Sequence, residues 1–195
     1  MALSEEIQDA ITKHQVFLLR YSAGREKEAT QYIDEITEKV LRELEKDDLT
    51  SLTRSKLKDF LRELEEFQDQ IYEEMEEKIL SDVDDLSTEE ADWATALFSR
   101  FLEGIEPPSK EDYQLAILAG IIPLAGKTIR SVIRAFKRKK IRQTTQTIRD
   151  GLTAREPNEL ISRRVQSINP LQKKQVGSLI RTINNFTSVQ ARDVV

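Results

Sequence analysis

Apolar residues recur at three- and four-residue spacing along most of this chain, the repeat of an α-helical face. Ile7, Ile11, His14, Leu18 and Tyr21 form one stripe, and Ile33, Ile36, Val40 and Leu44 continue a similar one beyond Gly24. This predicts one or two amphipathic helices, with Ser4 ahead of Glu5 and Glu6 as an N-cap that places acid near the positive helix end. The stretch Lys46-Asp47-Asp48-Leu49-Thr50-Ser51-Leu52-Thr53 has turn-prone residues and no helical face, so it reads as a break. Leu57, Phe60, Leu61, Leu64, Phe67, Ile71, Met75 and Ile79 then predict a second helix of roughly 25 residues, a rod of about 38 Å at ~1.5 Å per residue.

Asp84-Asp85 and Ser87-Thr88-Glu89-Glu90 read as a turn and a new helix start, whose face is Trp93, Ala94, Leu97, Phe98 and Leu102. Pro107-Pro108 ends that helix, because proline lacks a donor and disfavours helical geometry before it. The aliphatic run Leu115–Leu124, containing Gly120 and Pro123, leads into a basic helix from about Lys127 to Arg149, with Gly151 as its stop. Short helices are expected at Pro157–Val165, with proline in the first turn, and from Leu171 to the end. No strand alternation persists and no segment repeats. The expected fold is therefore all-α: long amphipathic helices in an extended bundle, with a smaller basic helical C-terminal part. Three regions are expected: an acidic long-helix part at 1–106, an apolar hinge at 107–126 and a basic part at 127–195.

Composition sharpens this picture. The chain has 195 residues, 33% of them charged, and only 6 Gly and 5 Pro, a balance typical of long helices. With no cysteine, a disulfide framework, a thiolate metal site and a thiol nucleophile are all excluded. There is no signal-peptide pattern and no 18-residue apolar run, which argues against a cleaved leader and a spanning helix. The net charge of −5 hides an asymmetry: residues 1–106 hold 29 Asp/Glu against 13 Lys/Arg, whereas 107–195 hold 6 against 17. The two halves are expected to face each other or different partners.

Candidate chemistry is sparse. Gly120 to Gly126-Lys127-Thr128 looks like a phosphate-binding loop, but five residues separate its glycines where four are needed to converge backbone N–H groups on phosphate. It reads as a helix–hinge–helix joint. His14, the lone histidine, forms neither a two-histidine metal site nor an acid–base pair and reads as a core or groove residue. Glu73-Glu74, Glu76-Glu77, Asp82, Asp84 and Asp85 lack the pattern of a calcium loop and read as a solvated face. Lys127, Arg130, Arg134, Lys137, Arg138, Lys139, Lys140 and Arg142 carry eight positive charges with no acid among them, a density that attracts phosphates or an acidic protein surface. Three readings stay open for it: the acidic half of its own or a neighbouring subunit, a DNA backbone, and a membrane or solvent. Phe136 is its only ring, which argues against stacking on single strands.

The segment Ile148-Arg149-Asp150-Gly151-Leu152-Thr153-Ala154-Arg155-Glu156-Pro157-Asn158-Glu159-Leu160-Ile161-Ser162-Arg163-Arg164-Val165 resembles the helix, glycine, loop and following helix of tailed-phage head-morphogenesis, or minor head, proteins. Residues 172–195 extend the likeness, with Arg181-Thr182 and Ala191-Arg192 as its markers, while Asn185-Phe186 stands where the family often has a histidine. The resemblance covers about the last 70 residues. In that family the last helix runs into a further region, so a truncated, proteolysed or partial product is expected here.

The resemblance implies a virion protein, made in the host cytoplasm and packaged in small numbers as a minor head or internal ejection protein; that it is not an enzyme is expected instead from the missing catalytic constellations, with sugar-bond hydrolysis by carboxylates alone a distant third reading. It would bind the portal or other capsid and tail proteins; the residues themselves add the expectation of a homo-oligomer joined through the acidic and basic halves, of contact with the double-stranded DNA backbone through the basic helix, and of no cofactor. Membrane contact, confined to ejection, is the least favoured of its partners. Arg181 and Arg192 join the eight basic residues as candidate contacts. The alternative is a helical adaptor or DNA-binding module acting through the basic half.

Overall fold

The computed structural model describes residues 2–46, 49–104, 106, 108–123 and 125–195. These form α1 (Ala2–Lys46), a short 3-10 turn at Leu49–Ser51, α2 (Arg54–Phe98), α3 (Lys110–Ala119), α4 (Ile129–Thr153) and α5 (Asn158–Asp193). The all-α expectation holds. Asp47-Asp48 of the expected break, Pro107 of the expected helix stop and Leu124 of the hinge lie outside the described residues.

α1 and α2, each 45 residues and about 67 Å long at ~1.5 Å per residue, form an antiparallel hairpin. α5 lies antiparallel to α1 along most of its length. Asn158 donates to the Leu44 carbonyl at one end, Asn169 to Thr37 midway, and Asn184 to Ser22 at the other. α4 packs antiparallel on α2 and on α5. Its Gly151 sits so close to α5 that an added Cβ would lie 2.7 Å from Ile161 Cγ1. Leu44, Leu64, Tyr72, Met75, Ile133, Ile148, Ile161 and Ile183 belong to one buried cluster, so residues on both sides of position 106 share a core.

Several boundaries differ from the pattern reading. α1 is already helical at Ala2, so Ser4 lies inside it and is not the cap. α2 runs unbroken through Asp84-Asp85 and Ser87-Thr88. The weak turn preference of those residues yields to burial of Val83, Leu86, Ala91 and Ala94 on one face. The hydroxyls of Ser87 and Thr88 are absorbed by the Asp84 carbonyl one turn back. α2 ends at Phe98, before the prolines. Gly151 does not stop α4, which continues to Thr153. The chain then turns at Arg155, whose φ is 56°.

The two short C-terminal helices are one. α5 passes through Pro170, a residue that costs a helix interior about 3 kcal/mol. Val165, Gln172, Val176 and Leu179 are buried on either side of it, and their packing offsets that cost. The loop resembling a phosphate site is a joint: Gly120 caps α3, Ile122 N–H bonds the Lys127 carbonyl at 2.9 Å, and the Thr128 hydroxyl caps α4 by accepting from Ser131 N–H. Among the described residues no helix is long and apolar enough to cross a membrane.

Candidate functional site

The basic helix has three differently occupied faces. One side of α4 looks onto acidic α2. Arg134 Nε lies 3.1 Å from Glu76, which Arg130 also approaches at 4.0 Å, and Lys137 Nζ lies 2.8 Å from Asp69 and 3.2 Å from Glu73. Burial acts against the Lys137 charge, but its hydrogen bonds to Asp69 and Glu73 hold its pKa above the usual lysine range. The acidic runs are therefore not simply a solvated face. Glu76 and Asp82 are buried, Asp82 with Lys78 at 2.5 Å and Arg25 at 3.3 Å. Burial still pushes the Asp82 carboxyl up despite these cations. Glu73, Glu74, Glu77 and Asp85 remain exposed, as the pattern indicated.

The inner side of α4 holds Lys140, only 1% exposed. Its ammonium donates to the Gln175 side chain of α5 and, at 3.4 Å, to Gln143. It also sits 5.3 Å from the centre of the Phe136 ring, and no carboxylate pairs with it among the described residues. Burial, aided by neighbouring Lys139, lowers its pKa. The unfolded chain therefore binds this proton more tightly, and stability from this site rises with pH between the folded and unfolded values. Lys140→Met is expected to raise stability by about 1 kcal/mol at pH 7, since well-packed apolar replacements of buried ions are often stabilising. Its advantage over the parent should shrink as pH approaches the ordinary lysine range. Urea midpoints of both proteins at pH 7 and pH 10 check this; a variant that loses stability at pH 7 refutes it.

The third side faces outward. Arg138, Lys139, Arg142 and Arg149 on α4 are exposed and, among the described residues, make no ion pair. The same holds for Lys127, Arg155, Arg163 and Lys174. Arg138, Arg142 and Arg149 line an open groove of about 620 Å³, with Glu65, Glu66 and Asp69 of α2 also among its lining residues. The last two predicted residues lie on α5 and are paired within the chain: exposed Arg181 donates to both oxygens of Glu26 at 2.6 Å, and Arg192 Nε lies 3.1 Å from Glu90.

Arg192 marks a second polar centre, which the pattern reading missed. Glu90 of α2 is fully buried. His14 Nε2 of α1 stands 2.7 Å from its Oε1, while Ser188 Oγ of α5 donates to Oε2 at 2.9 Å. The imidazole stacks on Trp93 at 3.7 Å between centroids and 6° between planes. Arg192 also donates to Ser188 Oγ at 2.7 Å. Three helices thus meet on one carboxylate. The available signal was a pair of polar residues on otherwise apolar stripes, His14 in α1 and Glu90 in α2. Among the described residues no group of three His, Asp or Glu side chains is placed to hold a metal ion.

No protein-family model, curated protein or solved structure matches the chain.

Proposed function

We propose that this chain is a structural or assembly protein of a tailed-phage particle, of the minor-head or internal type, which works through the surfaces its helices leave open. The observation that carries the structural reading is the sorting of its cations. In the basic half, those facing α1 and α2 are spent on internal pairs, whereas eight exposed ones make no ion pair among the described residues. Exposed large apolar residues lie elsewhere in the chain: Val16 and Leu19 on α1, Phe101 and Leu102 after α2, and Leu115, Leu118 and Ile121 at α3. Exposed cations without ion pairs and exposed large apolar residues suit a protein that joins other components. The phage assignment within that class rests on the resemblance of residues 148–165 and 172–195. Its test is protein mass spectrometry of gradient-purified particles from the producing host. The chain at a few copies per particle supports the reading, and its absence from particles that contain portal protein overturns it.

The outward stripe of α4 also favours contact with a double-stranded DNA backbone, since guanidinium groups suit phosphate oxygens. If four phosphates are contacted, log affinity falls against log salt with a slope of roughly −3.6. Replacing Arg138, Lys139, Arg142 and Arg149 together by Gln should flatten that slope. Replacing Arg134 and Lys137, which are occupied by α2, should leave it nearly unchanged. Equal effects from both sets, or no binding at low salt, would refute DNA contact through this face.

A further inference from the structure

The upper third of α1 is held to the bundle very differently from the rest. From Ala29 onward the helix buries Ala29, Ile33, Ile36, Val40 and Leu44, whereas between residues 5 and 23 only His14 is buried. Ile7, Leu18 and Tyr21 are half-buried, Ile11 is exposed on the same stripe, and Leu19 is 72% exposed. Burial of apolar surface is the main force that docks a helix, so ahead of Tyr21 this segment is docked weakly except at one point. That point is polar: the His14 imidazole, stacked on Trp93 and 2.7 Å from Glu90. Glu90 is itself fixed from α5 by Ser188 and Arg192.

Below this contact α1 is anchored again. Tyr21 donates its hydroxyl to the Asp82 carbonyl at 2.7 Å, and Arg25 approaches the Asp82 carboxylate at 3.3 Å. Gly24 sits among these anchors. A Cβ there would meet nothing within 4 Å, and Gly24 lies outside the positive-φ region. Neither close packing nor a left-handed backbone requires glycine at this position. What glycine does there is weaken the helix by about 1 kcal/mol relative to alanine.

We propose that residues 5–20 of α1 form a latched arm, closed onto the bundle by the contact of His14 with Glu90 and Trp93, and hinged at Gly24, so that the Tyr21–Asp82 and Asn184–Ser22 hydrogen bonds at its base open with it. Opening the latch uncovers Trp93 and the half-buried stripe of Ile7 and Leu18 without disturbing the core that begins at Ala29. The inference is independent of the phage reading, because it uses only contacts within the chain.

Trp93 is the only tryptophan and reports the latch directly. In amide hydrogen exchange, residues 5–20 should exchange at least tenfold faster than residues 29–44. His14→Ala should speed the arm by a further tenfold and raise acrylamide quenching of Trp93, while residues 29–44 keep their protection. Gly24→Ala, which cannot fail by loss of packing, should slow exchange of the arm about fivefold, the factor that corresponds to ~1 kcal/mol of helix propensity. An arm that exchanges as slowly as residues 29–44 overturns the proposal. So does a His14→Ala variant that speeds the whole of α1 equally. An unchanged arm rate in Gly24→Ala removes the hinge.

Discussion

Glu90→Ala is expected to lower the unfolding free energy by about 3 kcal/mol. Removing one member of a buried ion pair typically costs 3–5 kcal/mol, because the other charge is left in a poorly solvated place. The low end applies here, since the Arg192 side chain is 35% exposed and water solvates part of its charge. Ser188 also loses its acceptor and His14 its close polar neighbour, so contacts from both α1 and α5 to α2 are weakened together. Denaturant unfolding followed by helical circular dichroism measures the loss. The midpoint should fall with an unchanged slope, the signature of altered stability without a changed unfolding transition. A loss under about 1 kcal/mol would mean that water or rearranged side chains satisfy the site without Glu90. Glu90→Gln should cost less than Glu90→Ala, because an amide oxygen still accepts from Ser188.

Tyr72→Ala is expected to cost about 4 kcal/mol, by analogy with Phe and Trp truncations in tightly packed cores. Tyr72 is 1% exposed and meets the Phe136 ring edge-on, with centroids 6.3 Å apart and planes at 80°. It is the aromatic contact between α2 and α4, one turn from the charged pairs made by Asp69, Glu73 and Glu76. Its loss removes a large apolar body and forfeits the ring pair with Phe136. The same unfolding experiment reads this effect. An effect as small as that of a surface substitution would show that α4 is not packed on α2 through this residue. Tyr72→Phe should retain most of the stability, which separates ring packing from any role of the hydroxyl.

Both variants probe contacts of different legibility. Tyr72 itself was not among the stripe residues used to predict the second helix, yet it sits beside Ile71 and before Met75 on a face that becomes buried. Its burial was recoverable from helical spacing alone. The contact of Glu90 was not. Ser87-Thr88-Glu89-Glu90 resembles a helix start because Ser and Thr cap well and acids suit the first turn. In the interior of α2 the same hydroxyls bond back to the Asp84 carbonyl. Local preferences of this kind are worth roughly 1 kcal/mol or less, so the burial of neighbouring apolar residues overrides them. Pro170 is the same case at a larger local cost, where packing of α5 on both sides keeps one helix through a residue that ordinarily ends one.

The sequence by itself determined that the protein is helical, that its apolar residues lie on stripes, and that its acidic and basic halves are unequal. Those properties follow from spacing of 3.6 residues per turn and from charge counts, which are local or additive. Only the tertiary structure decided which cations are spent. Lys137 and Arg142 look alike in a run of basic residues, but five positions on a helix turn one toward Asp69 and Glu73 and the other toward solvent. Lys140, in the same run, is buried against Gln175 of a helix more than thirty residues away in the chain. Likewise His14, Glu90 and Arg192 come together through the register of three long helices. That register is set by the summed packing of their entire faces, a long-range property that no short window of residues contains.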